Sequence, residues 1–223
     1  MKKVIFWDFD GTMVKANKRF VDSLNFTLRK FGYCLDLSIL DNTLKEAYPW
    51  LNYQNSYVGK KDLWWDNFLK KLFPIYASLN IDESVIEKIN QEYKTRLTTH
   101  NDYEIYPDAK FVLQECAKRG YSSYLLSNNF PELPFFVNSL GISEYLDGVI
   151  ISSHVGYEKP RKELFDFAIR NSGCDFGIMV GDNPIADIRG GKEVGLKTIL
   201  VHNTVESAAD YTFETLTQIL SIL

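Results

Sequence analysis

Cysteine is scarce, with only Cys34, Cys116 and Cys174 in 223 residues. They are odd in number, far apart, and form no Cys-x-x-Cys pair. That pattern fits neither a disulfide framework nor a thiolate zinc site. Reduced thiols in a cytosol are expected, with Cys34 and Cys116 on apolar faces as core residues. Histidine is equally thin: His100, His154 and His202 show no metal-ligand spacing, which leaves them structural roles. No run approaches the roughly 18 apolar residues of a membrane span. The stretch Val4-Ile5-Phe6-Trp7 that follows Lys2 and Lys3 is cut by Asp8 and Asp10, short of the about 7–15 residues of a secretory apolar region. A cytoplasmic location is therefore expected, with no membrane partner. Charge of one sign is also lacking. A formal net charge of -4 steers the chain toward neither a nucleic-acid polymer nor an anionic surface. An anionic substrate has to be captured by local groups.

A composition of 45% hydrophobic and 24% charged residues is that of a soluble globular protein. The length allows one ordinary core plus a modest second unit. A first strand is predicted at Lys3 to Trp7, ending at charged residues and Gly11. Phe20, Leu24, Leu28 and Phe31 then recur at helical spacing before Gly32, a C-cap candidate. Residues 36–99 carry helical patterns only, broken at Pro49 and Pro74. After His100 the rhythm changes. Helices are predicted at Ala109–Lys118, Leu133–Leu140, Lys162–Arg170 and Ile185–Glu193, and they alternate with strands at Tyr121–Leu126, Gly148–Ile151, Gly177–Val180 and Lys197–Val201. The last residues, Glu214 to Leu223, read as a closing helix. This β/α alternation predicts an α/β fold, a doubly wound parallel sheet covered by helices on both faces. Residues 1–15 and 101–223 would form that core, and residues 16–100 a separate helical unit.

Polar residues follow the strand ends. Asp8 and Asp10 follow the first strand, Ser127 and Asn128 the second, and Asp182 the fourth, while Lys159 lies in the loop beyond the third. In open parallel sheets ligands bind beyond the carboxyl ends of the strands, so these loops converge on one crevice. Each has an ordinary reading alone. Two aspartates at i and i+2 mark a solvated strand end, and Ser127-Asn128-Asn129 is a turn. Lys159-Pro160 opens a helix, and Gly181-Asp182-Asn183-Pro184 is a loop with an N-cap. Their joint placement at four strand ends favours a catalytic site.

Together these motifs resemble the haloacid dehalogenase-like hydrolases. Asp8-Phe9-Asp10-Gly11-Thr12 is similar to that family's first motif and Ser127-Asn128 to its second. Lys159-Pro160 is similar to the third, and Gly181-Asp182-Asn183-Pro184-Ile185-Ala186-Asp187 to the fourth. The resemblance implies a Rossmann-like core with strand order 5-4-1-2-3 and an inserted helical cap. It implies a Mg²⁺-dependent phosphatase acting on a small phosphomonoester, with Asp8 as nucleophile and Asp10 as acid and then base. Asp8, Asp182 and the Asp10 carbonyl would hold Mg²⁺, and Ser127, Asn128 and Lys159 would bind the phosphoryl oxygens. Thr12 would support the turn, and Asp187 would ligate metal or orient Lys159. Physical need agrees, because a carboxylate attacking a phosphate dianion requires a bridging cation. Asp10 also separates reactions: dehalogenases and phosphonatases of this family lack an acid there, and P-type ATPases carry Thr.

Residues 48–68 are unusually aromatic, with Tyr48, Trp50, Tyr53, Tyr57, Trp64, Trp65 and Phe68. They form either a lid that stacks on a base or sugar or, as favoured here, a helical bundle packing on itself. Lys60 and Lys61 read as a solvated face. The segment Tyr157 to Phe165 resembles nucleotidase-like and acylneuraminate-phosphatase-like members. Two other functions stay open: a β-phosphoglucomutase-like phosphotransferase, and a catalytically silent phosphosugar sensor.

Overall fold

In strand β1 (Lys3–Trp7), Val4, Ile5, Phe6 and Trp7 are all fully buried, although successive side chains point to opposite faces. Ile5 and Trp7 join one apolar cluster, Val4 and Phe6 another on the far side. A strand buried on both faces has to lie inside a sheet, and β1 does. This computed structural model describes residues 1–47 and 62–223. The predicted roles of Tyr48, Pro49, Trp50, Tyr53, Tyr57, Lys60 and Lys61 lie outside the described residues.

The sheet comprises β1, β2 (Tyr121–Ser127), β3 (Gly148–Ile151), β4 (Phe176–Gly181), β5 (Lys197–Val201) and β6 (Tyr211–Phe213). All pairs are parallel, in the order β3-β2-β1-β4-β5-β6. The five predicted strands thus stand in the expected order, and β6 extends the edge beyond β5. The expected closing helix is corrected here. Residues 211–213 form that edge strand, and Leu216–Ser221 is a 3-10 helix opened by a capping box between Thr215 and Gln218.

Among the described residues, five helices are inserted after β1: α1 (Arg19–Lys30), α2 (Leu37–Ala47), α3 (Asp62–Lys70), α4 (Phe73–Ser78) and α5 (Glu83–Thr99). Helix α1 buries Val21, Leu24 and Leu28 on one stripe and stops before Gly32, which takes φ 85°. Pro74 sits in the first turn of α4, where no backbone N–H is needed. Asp82 caps α5 by accepting from Ser84 N at 2.8 Å. The Tyr93 hydroxyl of α5 donates to the Phe20 carbonyl of α1 at 3.1 Å. Cys34 corrects an expectation. It is exposed in the connection after α1, because the helix and its apolar stripe end before it, whereas Cys116 is buried as expected.

The chain leaves the sheet and returns to it side by side. Lys15 N donates to Glu104 O at 2.8 Å and Tyr106 N to Met13 O at 3.0 Å, while Val14 and Ile105 form an antiparallel bridge. Helix α3 then docks on the loop after β2. Trp65 Nε1 donates to Glu132 at 3.1 Å, and the Trp65 ring stacks on Phe130 with centroids 5.7 Å apart. Trp64, Trp65 and Phe68 are buried there.

The remaining helices cover the sheet: α6 (Ala109–Lys118), α7 (Leu133–Ser139), α8 (Ser152–Val155), α9 (Lys162–Ser172) and α10 (Gly190–Glu193). The single helix predicted at Ile185–Glu193 is instead a wide π-type turn, Pro184–Arg189, running into α10. The Asn183 side chain opens this turn, accepting from the N–H groups of Ile185 and Ala186 at 2.9 Å each. Among the described residues no helix is long and apolar enough to cross a membrane.

Candidate active site

Asp8 stands where the ladder ends. Its N–H donates to Val180 O at 2.9 Å, the last rung tying β1 to β4. The Phe9 carbonyl then accepts from Thr12, Met13 and Val14, folding the chain into a tight loop. Gly11 takes φ 78°, and a Cβ there would lie 2.3 Å from Asp182 Oδ2. Only glycine permits both that backbone and that approach. Gly181, at the end of β4, allows a similar close approach: a Cβ there would lie 2.1 Å from Asp187 Oδ2.

The loops after β1 and β4 thereby gather three carboxyls. Oxygens of Asp8, Asp182 and Asp187 all lie within 4.8 Å of one another. Lys159 closes the group from the loop after α8. Its Nζ is 2.8 Å from Asp8 Oδ1 and 2.6 Å from Asp187 Oδ1, with only 2% of its side chain exposed. Asp187 also accepts from Asn183 N through Oδ2 at 3.0 Å. Its position fits orienting the lysine, and it also lies within reach of a cation.

Asp10 is handled differently. Its carboxyl accepts from Asn129 Nδ2 through Oδ2 at 2.7 Å. Among the described residues it is not part of the metal-like group. Ser127 ends β2, buried and facing the crevice. Asn128 lines the crevice too, but its side chain is committed to the Lys159 backbone. Nδ2 donates to Lys159 O at 2.8 Å, and Oδ1 accepts from Lys159 N at 2.7 Å. The Thr12 hydroxyl is buried 3.5 Å from Asp182 Oδ1, a long supporting contact.

Burial and repulsion set the protonation of the site. Burial, then the neighbouring Asp8 charge, pushes Asp10 up to about 7, opposed in part by Arg19, Asn129 and Lys159. Burial with the charges of Asp8 and Asp187 pushes Asp182 up to about 8. Asp187 rises to about 7, chiefly by burial, with Lys159 opposing. For Lys159, burial favours the neutral amine, yet the facing Asp187 and Asp8 outweigh it and raise its pKa. Burial is thus the largest cause for all three acids, and repulsion between carboxylates adds to it. An oxygen-only donor set of this kind fits a hard dication such as Mg²⁺ rather than zinc.

The crevice encloses a cavity of about 440 Å³. Asp8, Asp10, Ser127, Lys159 and Asp182 line its sheet side. Val21, Trp64, Asn67, Phe68 and Lys71 line the side of the inserted helices. Every motif that the sequence placed at a strand end therefore reaches one space. Two residues at this site were not legible: Asn129, whose Asn-Asn context signals only a turn, and Arg19, which carries the ordinary signature of a helix start.

The family model for haloacid dehalogenase-like hydrolases matches residues 2–195. The chain belongs to that family. Among haloacid dehalogenase-like relatives, it is 25% identical to human haloacid dehalogenase-like hydrolase domain-containing protein 3, over 89% of this chain and 81% of that protein. It is 26% identical to a glyceraldehyde 3-phosphate phosphatase of Pyrococcus furiosus, over 99% of this chain and 92% of that protein. In fold it is similar to the HAD hydrolase YfnB of Bacillus subtilis bound to magnesium, with a TM-score of 0.77 and 16% identity. That match covers 100% of this chain and 98% of the other.

Proposed function

We propose that this hydrolase is a Mg²⁺-dependent phosphatase that cleaves a small phosphomonoester of the nucleotide or sugar phosphate type through an aspartyl-phosphate on Asp8. The observation that carries the reading is the carboxyl group of Asp8, Asp182 and Asp187 held within 4.8 Å and paired to buried Lys159. Phosphatase names among full-length relatives support the reaction class.

Asp8, Asp182 and the Asp10 carbonyl would hold Mg²⁺, with Asp187 beside them. When bound, the ion neutralises the phosphate dianion and the carboxylate that approaches it. Asp8 Oδ1 is occupied by Phe9 N at 2.7 Å and Lys159 Nζ at 2.8 Å, which leaves Oδ2 to attack phosphorus. The bond to the leaving oxygen breaks as the new bond to Asp8 forms. Asp10, whose burial raises its pKa, gives a proton to the departing alkoxide. It then takes a proton from the water that cleaves the aspartyl-phosphate. Lys159 and the Ser127 hydroxyl stabilise the transferring oxygens. Asn128 acts on phosphate through its main chain, since its side chain holds Lys159.

We read residues 16–100 as a cap that closes over the crevice, excludes water and selects the leaving group. The protein works on a soluble small molecule, in the cytoplasm.

The test is phosphate release from p-nitrophenyl phosphate by the wild type with Mg²⁺, by the wild type with EDTA, and by Asp8→Asn. Turnover only in the first is expected, and equal turnover in all three ends the assignment. Release of inorganic phosphate in proportion to substrate, without a bisphosphate primer, separates hydrolysis from the mutase alternative.

A further inference from the structure

Arg19 begins α1, yet only 2% of its side chain is exposed. Its Nη1 donates to Asp102 Oδ1 at 2.7 Å, and its Nη2 to the carbonyls of Leu97 and of His100, the latter at 2.8 Å. The guanidinium lies over the rings of Tyr103 and Phe136, 4.4 and 4.7 Å from their centroids. One side chain from the outgoing crossing therefore grips three groups on the returning crossing. The backbone ribbon of Met13–Lys15 against Glu104–Tyr106 also ties these two segments.

Tyr103 carries the grip to the site. It packs edge-on against Phe9, between the two motif aspartates, with centroids 5.0 Å apart. Its hydroxyl is buried beside Asp10 and Asn129. The Arg19 charge itself reaches the Asp10 carboxyl. Packing alone does not call for this arrangement, because a leucine or methionine fills an aromatic cage without the cost of desolvating a cation. A rigid fork of donors aimed at residues 97, 100 and 102 instead fixes one backbone segment against another.

We propose that Arg19 is a positioning residue for Asp10, pinning the outgoing and returning crossings together so that Tyr103 and Asn129 hold the acid in one place. The role rests on the phosphatase reading, in which Asp10 protonates the leaving group. An ester with a good leaving group needs little of that proton, whereas an alkyl ester needs it in full.

The experiment compares wild type, Arg19→Gln and Arg19→Lys on p-nitrophenyl phosphate and on an alkyl monoester that the wild type accepts. In Arg19→Gln, kcat on the alkyl ester should fall about tenfold or more relative to the aryl ester, with both KM values little changed. Arg19→Lys should recover part of the loss. Equal proportional losses on the two esters overturn the proposal. Amide exchange read by mass spectrometry on the substrate-free proteins gives a second measure that needs no turnover. Faster exchange at both residues 13–15 and 97–106 supports the pin, and faster exchange confined to α1 overturns it. A wild type that releases phosphate from no ester of a phosphomonoester panel ends the phosphatase reading, and exchange alone then decides the pin. If Arg19→Gln does not fold, Arg19→Lys carries both comparisons.

Discussion

Asn129 donates its side-chain N–H to Asp10 Oδ2 at 2.7 Å, while its own main-chain N–H is held by the Ser152 hydroxyl at 3.1 Å. The acid is thus oriented by a residue that is anchored to a different strand end. Asn129 also favours the charged form of Asp10. Removing it in Asn129→Ala should slow phosphoryl transfer from an alkyl ester about 10- to 100-fold. It should also raise the Asp10 pKa above its present value of about 7. In the proposed mechanism Asp10 works protonated, so the high-pH limb of single-turnover transfer should move to higher pH. A limb that stays in place, or moves down, contradicts the assignment.

Lys159 is bonded to Asp8 and Asp187 with almost no solvent around it. Removing one partner of a buried charge cluster strands the others, at about 3–5 kcal/mol. Lys159→Met should lose that much stability in urea titrations without metal and should release no phosphate. Mg²⁺ should restore part of the stability but none of the activity. A variant as stable as wild type without metal would show that the acids are already protonated there.

The pH dependence of the metal-free fold follows from the raised carboxyls. Asp10 and Asp187 stand at about 7 and Asp182 at about 8, against an unfolded value near 3.8. Between those values the folded state binds more protons than the unfolded state, so stability falls as pH rises. Thermal melts in EDTA should therefore decline from about pH 4 to pH 8, with the loss spread through the window these pKa values span. Asp182→Asn should flatten the decline. The stabilisation given by Mg²⁺ should be larger at the alkaline end, where the acids would otherwise be charged together. A melting temperature that rises through this window contradicts the electrostatic account.

Gly11→Ala tests the close approach of the two loops. The substitution adds a Cβ at positive φ, 2.3 Å from Asp182 Oδ2, so the loop or the carboxylate has to move. Mg²⁺-dependent turnover should fall by about a hundredfold or more, since displacement of about an ångström at a positioned group costs that much. Fold content by circular dichroism should change little. Full activity in Gly11→Ala would mean that Asp182 is free to shift.

The sheet was legible because its strands are apolar runs buried on both faces, bounded by Gly, Asp and Asn, and the motif acids sit at their ends. β6 was not. Tyr-Thr-Phe is a short edge strand with half-exposed side chains, and pairing with β5, not local pattern, makes it a strand. Cys34 was misplaced because it follows Gly32, beyond the helix whose apolar stripe would have buried it. Asn129 and Arg19 escaped for a shared reason. Their partners lie 119 and 83 residues away in sequence, while local context offers each a complete ordinary explanation. Asp187 was legible as either metal ligand or lysine partner, and the geometry makes the lysine contact explicit at 2.6 Å.

Acid quench of a single turnover, followed by mass spectrometry of the peptide that contains Asp8, tests the central claim most directly. With p-nitrophenyl phosphate and Mg²⁺, Asp10→Asn should accumulate a phosphoryl group on Asp8, since the aryl group leaves without an acid while water is no longer activated. Phosphoryl transfer to another side chain, such as Ser127, or steady turnover by Asp8→Asn, would contradict the account.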